Sequence, residues 1–423
     1  MGVFLTSDSA CAQNGTQTWT APSWVLTAAQ VEDYRRNQYF KDKNAQQSTS
    51  PSNQQVQALQ RMSRYYMSQL TFQNTARLPK EIVDRFIAIE LFAQNCTPKG
   101  RQAMMDEVLA KAPDLLTYPE PIVRTNTVLL LIQLSTEPPQ FQNGREIPAV
   151  PYAPAHKLLI QILADSNQLL EARILAARGL GRIARYSGLD LGSNQRSDIA
   201  VTLVDTLSQL PILPADENWW FRYRIVESLG FVDRLDSVTR APIVIDTLLQ
   251  VLSNRQETWL LRSQAALSLS RLPFDGTTNV PLVTHEIVGL LAELAVGYEK
   301  DKPPKDPEWR HAFSRVLLSF RPANQSQAKN RHWGLLFQTE RSGVGAHAAY
   351  IQQAWGKAFP VLKPVIEQDP RIERDPKGVP AAIPADAVTA LKEWVSSNVP
   401  QDRRATPGSP PPAAAGATAP PQQ

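Results

Sequence analysis

Arginine is the residue whose spacing in this chain comes closest to a binding chemistry, because its planar guanidinium holds a carboxylate or a phosphate through two parallel hydrogen bonds. Helical spacing places a row of arginines on one side of four successive segments, and we add two aromatic residues as candidate contact points. This ridge comprises Arg178, Arg182, Arg185, Arg224, Phe231, Arg234, Arg271, Arg315 and Trp333. Such a ridge could hold an acidic peptide or a phosphate backbone.

The same arginines have a simpler interpretation as an ordinary solvated face. Glu227, Asp233 and Asp236 dilute their charge, and an arginine near a helix C-terminus complements the helix dipole. The sequence favours this solvated face, and partner binding along the ridge is a hypothesis beside it.

Four tryptophans, Trp219, Trp220, Trp259 and Trp309, lie just before or at the start of helical segments. Tryptophan suits a stacking platform for bases or a peptide hot spot. Because their positions follow the helical segments, packing between neighbouring helices is the better interpretation.

No catalytic motif is complete. His285-Glu286 begins like a zinc protease helix, but the second histidine four residues on is missing. Ser342 lacks the Gly-x-Ser-x-Gly elbow, and Gly179 and Gly181 lie in a helical pattern instead of after a strand. We therefore predict no enzyme activity, no cofactor and no metal site.

The elements that position the arginines are repeated helices. An arginine is followed at offsets of three, four and seven by small or apolar residues, which together form one face of a helix. The arginines that anchor the five copies are Arg124, Arg173, Arg222, Arg262 and Arg310, with a weaker sixth copy at Arg85. Their recurrence predicts a shared structural role, and a period of about 40 to 50 residues predicts stacked helix pairs.

A second kind of helix precedes each anchored one. The predicted first helices are Gln54 to Phe72, Gly100 to Leu116, Ala155 to Ala164, Ser197 to Leu210, Pro242 to Leu252 and Val280 to Val296. The alternation predicts an all-α solenoid of about six helix pairs. Further helices at 348–362 and 385–395 form an irregular C-terminal cap.

The second helices resemble the HEAT-repeat family. The segment from Glu171 to Gly181 and the segment from Arg262 to Leu269 resemble that family's arginine, paired alanines and leucine. The resemblance covers about Gln54 to Arg321, although the outer copies lack the glycine after the leucine. It implies a right-handed α–α superhelix whose second helices line a concave surface.

The resemblance is silent on function, since this scaffold is widely reused. It is most consistent with a non-catalytic scaffold that binds a protein partner of unknown identity, and nucleic acid is a less favoured partner. The alternative is a HEAT-like enzyme or nucleic-acid binder, similar to a DNA glycosylase or a bilin lyase, with an arginine-lined groove. No residue set matches either family.

Composition limits the class of protein further. The 423 residues are 43% hydrophobic with a net charge of +4, and no apolar run approaches the roughly 18 residues of a spanning helix, which predicts no transmembrane segment. Only Cys11 and Cys96 occur, too few for a disulfide framework. We predict a polar segment at 1–52, repeats at 53–322, a loop and cap at 323–399 and a disordered Pro/Ala-rich tail at 400–423.

The N-terminal sequence leaves the compartment open. Ala10-Cys11-Ala12 resembles a signal cleavage site followed by a polar mature start, yet the segment before it is too short for an apolar core. The sequence slightly favours an exported or periplasmic protein with an incomplete signal peptide, and the alternative is a cytoplasmic protein with a loose N-terminus.

Overall fold

The protein is mostly helical, as the sequence predicts. A computed structural model describes residues 19–72, 79–142, 144–212, 218–233, 242–301, 307–321, 333–367 and 382–404. The chain divides into two compact units, Met1–Thr127 and Val128–Gln423. The predicted cleavage site at residues 10–12 and most of the predicted tail lie outside the described residues.

In its described residues the first unit contains five α-helices, and a sixth begins in it. They are α1 (Ala28–Asn37), α2 (Tyr39–Lys43), α3 (Asn53–Gln69), α4 (Pro79–Arg85), α5 (Pro98–Leu116) and α6 (Pro121–Gln133), with a 3-10 turn at Asn44–Gln47. Helix α3 packs against α2 and α5. The N-terminal segment predicted as polar and low in complexity therefore contains α1 and α2.

The weak sixth copy of the repeat at Arg85 was wrong. Helix α4 continues after Arg85 as a π-helix, Phe86–Leu91. The wider turn changes which side chains share a face, so Ala88 and Ile89 are exposed while Phe86 and Glu90 are buried. The offsets of three and four therefore do not form a buried stripe here.

The second unit is built from helix pairs. Its helices are α7 (His156–Ala164), α8 (Leu170–Tyr186), α9 (Ser193–Gln209), α10 (Asn218–Leu229), α11 (Ile243–Ser253), α12 (Trp259–Arg271), α13 (Val280–Lys300), α14 (Pro307–Phe320), α15 (Leu335–Gln338), α16 (Ala348–Ile366) and α17 (Ala385–Ser397). The pairs α7/α8, α9/α10, α11/α12 and α13/α14 each pack together, and α8, α10, α12 and α14 follow one another in one layer. The first helices α7, α9, α11 and α13 form the other layer.

Two small β-ladders interrupt the helices, and the sequence pattern does not predict them. Strand β1 (Ser135–Glu137) pairs antiparallel with β4 (Val150–Pro151), and β2 (Gln140–Gln142) pairs antiparallel with β3 (Arg145–Ile147). Strands of two or three residues are too short to show the alternation that identifies a strand in sequence.

Side chains at the helix starts fix several of these boundaries. Thr258 accepts a hydrogen bond from the Leu261 N–H at 3.2 Å, and Asn279 accepts one from the Leu282 N–H at 3.1 Å. These N-caps satisfy backbone donors that have no partner inside the helix. They explain why α12 and α13 begin where they do.

Consecutive second helices approach each other through a glycine and a serine. A Cβ on Gly181 of α8 would lie 3.0 Å from the Cα of Ser228 in α10. The Ser228 hydroxyl donates to the Ala177 carbonyl at 2.9 Å. The small residue thus allows a close approach that a side-chain hydrogen bond then fixes.

The equivalent glycine and serine make the same contact between the next two second helices, α10 and α12. A Cβ on Gly230, just after α10, would lie 2.8 Å from the Cα of Ser268 in α12, and the Ser268 hydroxyl donates to the Val226 carbonyl at 2.7 Å. Both glycines lie eight residues after their anchor arginine and both serines lie six after theirs. The register between second helices therefore repeats from α8 through α12.

The C-terminal helices cover the end of the second unit. Helix α16 packs on α13 and α14, and α17 packs on α13 and α16. Residues 400–404, predicted as the start of a disordered tail, lie against α13: the Asn279 side chain donates to the carbonyls of Asp402 and Arg404, both at 2.9 Å. Arg403 pairs with Glu286 at 2.8 Å.

Helix α13 is long and apolar enough to cross a membrane by length and composition, and it is the single described helix of that kind. This differs from the sequence expectation, because Glu286 and Glu293 interrupt the apolar run without making the helix polar. In the fold, 67% of its most apolar window is buried. A core helix passes the same test.

Candidate binding surface

The C-terminal ends of the second helices bring two arginines and two aromatic rings together. Arg185 lies in the last turn of α8, Phe231 follows α10, Arg271 ends α12 and Trp333 precedes α15. The Arg185 guanidinium carbon lies 4.6 Å from the Phe231 ring centroid and 4.7 Å from that of Trp333. The corresponding distances from Arg271 are 5.1 and 5.3 Å. We call these four residues the arginine–aromatic cluster.

Trp333 is held in this cluster by hydrogen bonds to the end of α12. The next residue, Gly334, has φ of +90° and donates its N–H to the Ser270 carbonyl at 3.0 Å. The Gln338 amide donates to the carbonyls of Ser270 at 3.1 Å and Leu272 at 2.6 Å. Because the last carbonyls of a helix lack partners within it, these bonds both cap α12 and position the tryptophan.

Arg271 is a cation in a desolvated position. Burial and then the nearby positive charge of Arg185 lower its pKa to about 10, although Glu227, Tyr223 and Tyr186 oppose this shift. No hydrogen-bond acceptor for Arg271 is found in the described part of the chain, and its recorded contacts are with aromatic rings. Arg271 is half-buried, so partial desolvation raises the cost of its charge while an external acceptor can still reach its N–H groups.

A second group of side chains surrounds the buried phenol of Tyr223. The Trp220 ring stacks on it, with centroids 5.2 Å apart and planes 2° apart. Arg315 Nη2 donates to the Tyr223 hydroxyl at 2.6 Å, and Arg315 Nε donates to Gln264 Oε1 at 3.0 Å. Arg224 lies 4.3 Å from the Trp220 ring centroid. These contacts link α10, α12 and α14.

The structure separates two of the predicted ridge arginines from the cluster. Arg182 Nη1 donates to the Ile132 carbonyl at 2.7 Å, and its Nη2 donates to the Ser135 hydroxyl at 2.7 Å. Burial lowers the pKa of Arg182. Arg182 therefore joins α8 to the residues around β1, while Arg178 is exposed on α8 and Arg234 lies outside the described residues.

Three of the five predicted anchors make the same hydrogen bond, to a carbonyl in the last turn of the first helix of their own pair. The bonds run from Arg173 Nε to Leu163 O (3.0 Å), from Arg222 Nη1 to Leu207 O (3.0 Å) and from Arg262 Nε to Leu252 O (2.8 Å). They satisfy carbonyls that the helix itself leaves without partners. We call these three arginines the anchor row.

Two members of the anchor row also form ion pairs with a later helix pair. Arg222 pairs with the buried Glu257, and Arg262 pairs with Glu293 of α13 at 2.8 Å. The outer anchors differ: Arg310 is half-buried at the start of α14, and Arg124 has a buried Nε without a hydrogen-bond partner in the described residues.

The tryptophans at the starts of the second helices contribute to packing and also to the surface. Trp309 donates from its indole N–H to Asp301 at 2.7 Å, and its ring centroid lies 6.2 Å from that of Trp259. Trp220 and Trp259 nevertheless remain 39% and 37% exposed. The packing interpretation therefore describes only part of their surface.

Sequence reasoning missed one residue that acts like the anchors. Arg101 in α5 donates from Nε to the Leu91 carbonyl at 2.7 Å. The acceptor lies ten residues before the arginine, the same separation as for Arg173 and Arg262. This spacing was the available signal, but Arg101 lacks the paired alanines that identify the other copies.

The histidines, cysteine and carboxylates that could do chemistry do not form a common site in the described residues. Within the described ranges, no three His, Cys, Asp or Glu side chains lie together as possible metal ligands. Cys96 is a buried thiol whose pKa is raised to about 11 by burial. His285 is buried against the Val395 carbonyl, 3.0 Å from its Nε2.

The fold and the surface together define an all-α protein of paired helices with an arginine-rich face on its second unit. No protein-family model, no curated protein and no solved structure matches the chain.

Proposed function

We propose that the helix pairs from α7 to α14 form a HEAT-like α-solenoid that acts without catalysis, as a scaffold for an acidic segment of a partner protein. The arginine–aromatic cluster is the observation that carries this proposal. It joins the ends of three successive second helices with two cations and two large rings. Arginine and aromatic residues are the types enriched at the energetic centres of protein interfaces.

Two structural features support the solenoid part of the proposal. The second helices follow one another in one layer, and the glycine and serine contacts keep the same register from α8 to α12. A repeated register is the property that lets helix pairs stack and present a continuous surface.

Charge supports an acidic partner over a neutral one. In the described part of the chain, Arg224, Arg271 and Arg315 lie around Tyr223 and Trp333 with Arg185 beside them, and Glu227 is a carboxylate close to Arg271. Glu227 is already paired with Arg224 at 2.6 Å. A partner's acidic side chains would therefore meet an excess of positive charge.

Site-specific photo-crosslinking in nuclease-treated cells of the source organism tests the proposal. A crosslinking residue replaces Arg224 beside the cluster, and a control replaces the exposed Lys357 of α16. We expect a protein adduct at position 224 whose crosslinked peptide, sequenced by mass spectrometry, carries net negative charge, and no such adduct at position 357.

The adduct at position 224 should also disappear in the Arg185→Gln/Arg271→Gln background. Crosslinked nucleic acid at position 224 would overturn the proposal in favour of a nucleic-acid binder, whose affinity falls steeply with salt. Equal protein adducts at both positions would show that the surface has no selective role.

A further inference from the structure

The two arginines of the cluster share the same two rings. Each guanidinium lies within 5.3 Å of both the Phe231 and the Trp333 centroid. A guanidinium stacked on a ring face keeps its N–H groups at its edge, where they remain able to donate. The rings therefore hold two donor forks near each other.

Arg271 forms no ion pair with any described residue, and its contacts there are with aromatic rings. Arg185 raises the cost of charging Arg271, and the neighbouring carboxylate of Glu227 is paired with Arg224. Arg271 donates to no acceptor among the described residues, and it is half-buried. An external anion would supply both the missing acceptor and the missing negative charge.

We infer that the arginine–aromatic cluster is an oxyanion site, in which one carboxylate or phosphate group lies between Arg185 and Arg271 against Phe231 and Trp333. The inference rests on the proposed function for the origin of the anion, an acidic or phosphorylated side chain of the partner protein. Both sources present two or three oxygens at the spacing of an arginine fork.

Fluorine NMR of the full-length chain labelled with 5-fluorotryptophan tests the site directly. The Trp333 signal is assigned by its loss in Trp333→Phe. Inorganic phosphate, acetate and chloride are titrated at equal ionic strength. We expect a saturable shift of the Trp333 signal with phosphate, acetate or both, and no saturable shift with chloride.

Variants separate specific binding from general ionic effects. Arg271→Gln should weaken phosphate or acetate binding by about tenfold or more, and Arg271→Lys should weaken it less, because it keeps the charge but loses the fork. Lys357→Gln removes the same charge from an exposed site and should leave binding unchanged. Peptides containing glutamate or phosphoserine then distinguish the two sources of the anion.

A Trp333 shift that is equal for chloride, or that persists in Arg271→Gln, would overturn the oxyanion site. This failure is distinct from failure of the scaffold proposal. Saturable phosphate binding without a protein adduct at position 224 would contradict only the scaffold proposal. A protein adduct at position 224 without oxyanion binding would contradict only the oxyanion site.

Discussion

The anchor row and the arginine–aromatic cluster use the same residue type in opposite ways. Arg222 and Arg262 are buried, donate to helix-end carbonyls and pair with carboxylates. Arg271 is half-buried, its contacts among the described residues are with aromatic rings, and the positive charge of Arg185 lowers its pKa. The two groups therefore differ in their partners: the anchors have carbonyl and carboxylate acceptors, whereas Arg271 has aromatic rings.

The two groups of arginines have opposite effects on the stability of the fold. The anchors complete hydrogen bonds that folding would otherwise leave unmade, so they stabilise the fold. The pKa of Arg271 is lowered in the folded state, so folding disfavours its charged form. Its cost to stability is present below about pH 10 and is relieved as the pH rises toward the pKa of an unfolded arginine. The anchors contribute to stability, whereas the charge of Arg271 opposes it.

The largest effect is expected at the centre of the anchor row. Arg222→Ala leaves the Glu257 carboxylate buried without its partner and removes a donor from the Leu207 carbonyl. We expect a loss of about 3 to 5 kcal/mol in unfolding free energy, measured by urea denaturation. A loss below about 1 kcal/mol, the level of an exposed pair, would break the comparison.

The second largest effect is expected at Arg182, which we group with the anchor row as a residue that stabilises the fold. Arg182→Ala removes the donors to Ile132 and Ser135, and leaving such buried acceptors unpaired costs about 1 to 3 kcal/mol. Urea denaturation should show this loss, while the phosphate affinity of the folded protein stays at the wild-type value. A variant with normal stability and lost phosphate binding would instead place Arg182 in the binding surface.

The third effect concerns the close helix approach that supports both regions. Gly230→Ala forces a Cβ to 2.8 Å from the Ser268 backbone, and overpacking of this kind costs about 1 to 3 kcal/mol. Gly289→Ala is the matched control, because nothing lies within 4 Å of its added Cβ in α13. That control should be neutral or stabilising by up to about 1 kcal/mol. Equal thermal stabilities of the two variants would contradict the repeated register.

The smallest effect adds an intermediate case, the partly exposed pair of Arg403 and Glu286. Burial alone would raise the pKa of Glu286, but the His285 hydrogen bond and the Arg403 charge outweigh it and lower the pKa. Its stabilisation is therefore present above the ordinary glutamate pKa and is lost as the pH falls through the lowered value.

Glu286→Gln should consequently cost about 1 kcal/mol at pH 7 and less at a second pH below the lowered pKa of Glu286. Urea denaturation at the two pH values gives this difference, with the exposed Glu393→Gln as control. A loss that is the same at both values would mean that the carboxylate charge contributes nothing.

Much of the helical architecture could be predicted from the sequence. All six predicted first helices are present, with ends that differ by at most about one turn, because apolar spacing reports which face is buried. Pattern reasoning failed where the backbone left the ideal helix: the π-helix after Arg85 shifted the buried face, and the short strands at 135–151 had no measurable period.

The surface could be predicted only in part. Spacing placed Arg185, Arg271 and Phe231 near one another, but it also included Arg182, whose acceptors lie about 50 residues earlier in the chain. The position of Trp333 depends on Gly334 and Gln338 capping a distant helix. Such long-range acceptors leave no local pattern, so an arginine's role cannot be read from spacing alone.

The most direct test of the contrast between the two regions is the unfolding free energy of Arg271→Gln and wild type in phosphate and in chloride of equal ionic strength. In chloride we expect Arg271→Gln to be at least as stable as wild type. In phosphate the wild type alone should gain stability, since a ligand that binds only the folded state stabilises it. A variant that loses stability in chloride as an anchor does, with no gain for wild type in phosphate, would contradict the account.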